Sequence, residues 1–170
     1  MTEPDQHGAP AGQRWAAYLD WLREEIIVGV SALPEDEQRR TRLPSGWTPI
    51  ELLSHVLHME QRWFVWGFLG EQVDDPWGDW DVAVDPWVEG VEGRWSVPDD
   101  VTAEALAREL RAIGDRTRHV LTTHLLDDTA ALGGRFGQDP PTLEWICFHV
   151  LAEYARHAGH LDIVVEVATG

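Results

Sequence analysis

The sequence predicts an all-α fold, a four-helix bundle, and three observations predict it. The 170 residues suit one domain able to bury a core without staples. Four long segments repeat apolar residues at steps of three and four, the period of a helix face. Capping residues, prolines and turn clusters separate those segments.

The first helix spans about residues 12 to 32, on the stripe Trp15, Leu19, Leu22, Ile26 and Val30, and stops near Pro34. The run PEDEQRRTR after it reads as a polar connection. Thr48 then opens a second helix. Its side chain caps, Pro49 fills the first turn where no amide donor is missed, and Glu51 completes a capping box. This helix is expected to reach about Leu69.

The stretch from Gly70 to Asp100 that follows, roughly thirty residues rich in Gly, Pro, Asp and Trp, exceeds the usual connection within a domain. A connection that long can run the length of a bundle and leave helices two and three as parallel neighbours. Its Trp77, Trp80, Trp87 and Trp95 argue for order, either as an aromatic cover glued to the core or as the lid of a pocket. The third helix, about Thr102 to Leu126, carries Leu106, Leu110, Ile113, Val120 and Leu121. After the turn GGRFGQDPP, Thr142 starts the last helix, with Leu143, Ile146, Val150, Tyr154, Leu161 and Val164. Of the ten Trp, Trp15, Trp21, Trp63, Trp66 and Trp145 fall in these helices, where core packing is the default.

Composition excludes several classes of function. The net charge is −17 and every basic residue is Arg, which argues against phosphate neutralisation on nucleic acid and against an anionic membrane surface. One Cys, Cys147, excludes an internal disulfide framework, and its expected role is a small buried thiol. The N-terminal stretch has neither a basic start nor an apolar run, and no segment is long enough for a membrane span, so the expected compartment is the cytoplasm.

The chemistry lies on the last helix. Glu153 and His157, four apart, project from one face and can converge on one ion; His149 and His160 continue the same side. Such a polar stripe is either a solvent face or a buried site. On the second helix His55 and His58 sit three apart, with Arg62 and Trp66 continuing that side, and either histidine can reach a neighbouring helix. His55 is the better third ligand. Two His and one carboxylate with an open position form a set suited to a catalytic divalent metal.

Trp47-Thr48, then His55 eight positions after that Trp, and a late Glu153-x-x-x-His157 before Ala158-Gly159-His160-Leu161-Asp162 resemble the DinB-like superfamily. The closer likeness is to its DUF664 and mycothiol-dependent transferase or isomerase branch, over about residues 12 to 168. The resemblance implies one metal-binding bundle over 1–170 with 1–11 flexible, up-down-down-up topology, a homodimer, and His55, Glu153 and His157 as ligands. Many members carry a third histidine where this chain has Glu153. The His-Glu-His set is similar to that of the mycothiol-dependent maleylpyruvate isomerase, whose C-terminal domain is not expected in this chain.

The implied activity is transfer of a low-molecular-weight thiol, mycothiol, to a small electrophile, with zinc as the first choice of metal and nickel or iron as alternatives. A metal stabilises the thiolate, the nucleophilic form. His58, Arg62, His149 and His160 then stand as residues that orient a ligand, relay a proton or meet substrate, or as ordinary core and surface groups. The competing readings are a metal-activated hydrolase and a non-catalytic metal-binding bundle of a stress response.

Overall fold

The computed structural model describes residues 2–5 and 8–170; the flexibility expected of residues 1–11 falls partly on Met1, Gln6 and His7, outside the described residues. The fold is all-α, and among the described residues it has no strand, only isolated bridges such as Trp80 with Trp95. No helix is long and apolar enough to cross a membrane.

Helix α1 (Ala11–Ser31) buries Leu19, Leu22, Ile26 and Val30 as its stripe requires, while Trp15 is half-buried and meets Phe148 edge-on at 4.9 Å. The polar connection after it contains an unforeseen single turn, α2 (Glu35–Gln38). Pro34 presets the entry to that turn, and Glu35, Asp36 and Glu37 complement the positive end of the helix dipole.

Helix α3 (Pro49–Glu60) begins with the expected capping box: Thr48 Oγ1 accepts from Glu51 N at 3.4 Å, and Glu51 Oε2 accepts from Thr48 N at 2.7 Å. Beyond Glu60 the helix continues but changes its winding. Residues Gln61–Phe68 form wide π turns, closed by Leu69 N donating to Phe64 O at 3.0 Å. The loop after α4 docks on carbonyls of this segment, Ala131 N to Phe68 O at 2.9 Å and Arg135 N to Trp66 O at 3.1 Å. Only glycine fits at Gly134, since a Cβ there would lie 2.2 Å from Trp66 O. Such turns recur at functional sites; here the segment carries Arg62 and Trp63.

Helix α4 (Ala103–Thr123) is capped by Thr102 and stops about a turn before the expected Leu126. Helix α5 (Leu143–Thr169) is capped by Thr142. The long helices α1, α3, α4 and α5 share one apolar core. A buried polar triad crosses it: Arg23 donates to both oxygens of Glu60, at 3.0 and 2.7 Å, and the Tyr154 hydroxyl donates to Glu60 Oε2. Buried charge survives only when paired and hydrogen-bonded in this way. Gly114 makes room for it, because a Cβ there would sit 2.5 Å from Arg23 Cζ.

The tryptophans divide differently from expectation. Trp145 is half-exposed, at 51 %, because it lies in the first turn of α5, where it stacks on His149 and reaches only the core's edge at Trp63. In the long connection Trp77 is buried, whereas Trp87 stands out at 77 % exposure.

Candidate metal centre

His55 projects from the middle of α3, and Glu153 and His157 from successive turns of α5. Their ligand atoms all lie within 4.8 Å of one another. Both histidines are buried and Glu153 is half-buried. The i,i+4 spacing aligned the α5 pair; packing of α3 against α5 brought the third residue to it.

The ring of His55 is fixed from behind. Its Nδ1 donates to Asp79 Oδ2 at 2.8 Å, which leaves Nε2 with a free lone pair. Asp79 is itself fully buried and gripped by Arg62, with Nη1 on Oδ1 at 2.5 Å and Nη2 on Oδ2 at 3.0 Å. Arg62 also donates to Pro76 O at 2.7 Å. Burial would raise the Asp79 carboxyl, but the hydrogen bonds from His55 and Arg62 prevail and hold it below the usual carboxylate range. Burial lowers His55 to about 4 despite Asp79, so the imidazole is neutral near pH 7.

Glu153 is held at about 2, first by the adjacent His157 imidazole and then, against the pull of burial, by Arg156 and His149. Its Oε2 lies 3.3 Å from His157 Nε2, near enough to attract but not aligned as a hydrogen bond. Both ring nitrogens of His157 are therefore shielded from water and without a hydrogen-bond partner. Buried imidazoles are rarely left so. One ionised carboxylate, one neutral imidazole with a free lone pair and one orphaned imidazole make a donor set that fits a divalent cation.

A cavity of about 330 Å³ opens on these three residues. Trp63 and Met59 belong to the helical wall, and Trp77, Trp80, Trp87 and Trp95 come from the long connection. Trp95 stacks on His55 with ring centroids 4.1 Å apart and 21° between planes, so the connection seals one side of the centre.

The other histidines separate in space. His149 lines the same cavity, packed on Trp63 at 4.2 Å. His160 is exposed, 6.0 Å from His157 and 6.4 Å from Trp47 between ring centroids. His58 does not join the cluster: its Nδ1 donates to Ser54 O at 2.8 Å, and its Nε2 lies against Gly78. Cys147 is buried in the core, its thiol pushed up to about 12 by burial. Sequence reasoning missed Asp79 and Arg135. Asp79 is one acid among Asp74, Asp75 and Asp81, and Arg135 sits inside a turn signal, so neither has a local mark of its own.

The family model described as MST: Mycothiol-S-transferase matches residues 15–170, a span that takes in α3, the Trp-rich connection and α5. A comparison with curated proteins finds no significant match.

Proposed function

The chain belongs to the mycothiol-S-transferase family, and from that premise we propose that it transfers mycothiol to a small electrophile at a metal held by His55, Glu153 and His157. The orphaned, buried His157 beside an ionised carboxylate, at the floor of an aromatic cavity, is the observation that carries this reading. Zinc suits the set best, and nickel or iron accept the same donors. When bound, such an ion lowers the pKa of a coordinated thiol.

The chain's own residues supply the rest. Asp79 keeps the proton on His55 Nδ1, so that Nε2 always faces the centre as a lone pair. Arg62 holds Asp79 in place and in its charged form. The single negative charge of Glu153 together with one thiolate balances a divalent ion, which favours an anionic sulfur where water is scarce. Trp95 and the neighbouring tryptophans exclude water from that side. His149, on the cavity wall, is placed to meet substrate, and His160, further out, is placed at its edge.

We read the long helices as an up-down-down-up bundle forming one domain over 1–170. In support, the start of α1 meets the start of α5 (Trp15 with Phe148), and the end of the π segment meets the end of α4 (Phe68 with His124). Trp63, late in the α3 run, meets His149, early in α5. A cytoplasmic homodimer without nucleic-acid or membrane partners completes the proposal.

The test is to titrate mycothiol into cobalt-substituted protein and watch for a sulfur-to-metal charge-transfer band. Its appearance at saturating thiol is expected. A spectrum that stays water-ligated sinks the transfer reading in favour of a hydrolase or a non-catalytic bundle.

A further inference from the structure

The cavity has a second polar feature, set apart from the metal ligands. Arg135, from the turn between α4 and α5, lines it together with Arg62 and Arg156. These three guanidinium groups are not equivalent. Arg62 is neutralised by Asp79, and the exposed Arg156 reaches Glu153 at 3.4 Å. Arg135 has no ion pair among the described residues. Its Nη1 is shielded from solvent and has no hydrogen-bond partner.

The position of this guanidinium is fixed. The backbone N of Arg135 is tied to Trp66 O, and its Cζ lies 4.4 Å from the Trp63 ring centroid and 5.5 Å from that of Trp77. Burial and the like charge of Arg62 both disfavour its charge, and Asp85, which makes no ion pair with it, favours it. Aromatic faces stabilise a guanidinium but satisfy none of its in-plane donors. Two more cavity donors, Trp80 Nε1 and Trp95 Nε1, are also buried without partners. His157 at the metal centre apart, the partnerless side-chain atoms of the cavity lining are these three donors. What they lack is an acceptor, and Arg135 specifically lacks an anion.

Building on the thiol-transfer reading, we propose that Arg135 is a specificity residue that anchors a carboxylate on the electrophilic substrate. Charge balance supports a monoanion. The divalent ion, Glu153 and the thiolate sum to zero, Asp79 cancels Arg62, and the side chain of Arg156 is 61 % exposed with its charge screened by water, which leaves Arg135 as the shielded guanidinium of the lining without a counter-ion. The carboxylate then lies on the tryptophan-lined wall, and the rest of the electrophile reaches from there towards the centre.

The experiment uses metal-loaded protein and two probe pairs. Benzoate and benzamide are titrated against intrinsic Trp fluorescence, since Trp63 and Trp77 flank the anchor. Benzoate should bind at least tenfold more tightly than benzamide, and Arg135→Met, which keeps the stem over the rings, should erase that preference. Arg135→Lys, which keeps the charge but not the fork, should restore part of it. Equal binding of the two probes by the wild type, or an unchanged benzoate affinity in Arg135→Met, overturns the proposal. The second pair, 4-(bromomethyl)benzoate and its amide, reads out mycothiol transfer. Transfer to both at equal rates in wild type and Arg135→Met removes the anchor and leaves the transferase. Benzoate selectivity through Arg135 without transfer to either electrophile leaves the anion site and removes the transferase.

Discussion

Replacing Asp79 with Asn tests whether the long connection builds the metal centre or merely covers it. The carboxylate accepts from His55 at 2.8 Å and from Arg62 at 2.5 and 3.0 Å, and it is fully buried. An amide offers one acceptor oxygen and an NH₂ group that only donates, so it cannot accept at both positions as the carboxylate does. With its oxygen in the Oδ2 place it still accepts from His55 and from Arg62 Nη2, but its NH₂ faces Arg62 Nη1 and the guanidinium, only 4 % exposed, loses its counter-ion. Turned round, it donates to His55 Nδ1 and drives the ring proton to Nε2, the atom needed for a metal. Loss of such an orienting carboxylate typically weakens metal binding by about 10- to 100-fold, or about 1.4 to 2.7 kcal/mol. Stranding Arg62 adds a folding penalty of up to about 3 to 5 kcal/mol. Competition against a chromophoric zinc chelator measures the first quantity, and urea unfolding of the metal-free protein the second. Zinc affinity within twofold of wild type together with an unchanged unfolding midpoint would show that Asp79 does not orient His55.

Four other outcomes follow from the same geometry. His55→Ala should abolish stoichiometric metal in elemental analysis, while His58→Ala, whose ring is engaged by Ser54 O, should retain most of it; the reverse result would move the ligand to His58. In metal-free protein the unfolded chain takes up a proton near pH 6.5 that folded His55 accepts only at about 4, so stability falls as pH drops through that window. The loss is of order 3 kcal/mol, and a urea midpoint with the same pH slope in His55→Gln as in wild type contradicts it. Gly114→Ala should destabilise by about 1 to 2 kcal/mol, as crowding against Arg23 outweighs the helix-propensity gain. In an Arg23→Met background the same change should stabilise, and the same sign in both backgrounds would rule out the crowding. Native Cys147 should resist Ellman's reagent at pH 8 and react only on unfolding, with Cys147→Ala keeping its metal; a fast native reaction would mean that the thiol is neither buried nor raised.

Local pattern by itself determined much of this protein. The helix starts at Thr48, Thr102 and Thr142 were legible because a cap is a contact between residues three apart, and the apolar stripes because a helix repeats its face within two turns. Glu153 and His157 were legible for the same reason, their spacing alone turning both to one side. The one-turn helix α2, the wide turns after Glu60 and the exposed Trp145 were not, because each depends on what the neighbouring segments leave free or occupied. Glu60 reads as an ordinary polar residue until Arg23 from α1 and Tyr154 from α5 close round it. Asp79 is the plainest case. Nothing in DPWGDW separates it from the acids nearby; only the fold of the connection over α3 carries it to His55 and Arg62, where burial makes a single carboxylate decide the state of a ring. Hydrogen bonds between distant parts of the chain leave no periodicity in the sequence, so the pair Glu153 and His157 could be read from spacing, whereas the approach of His55 and the residues that orient its ring come only from packing.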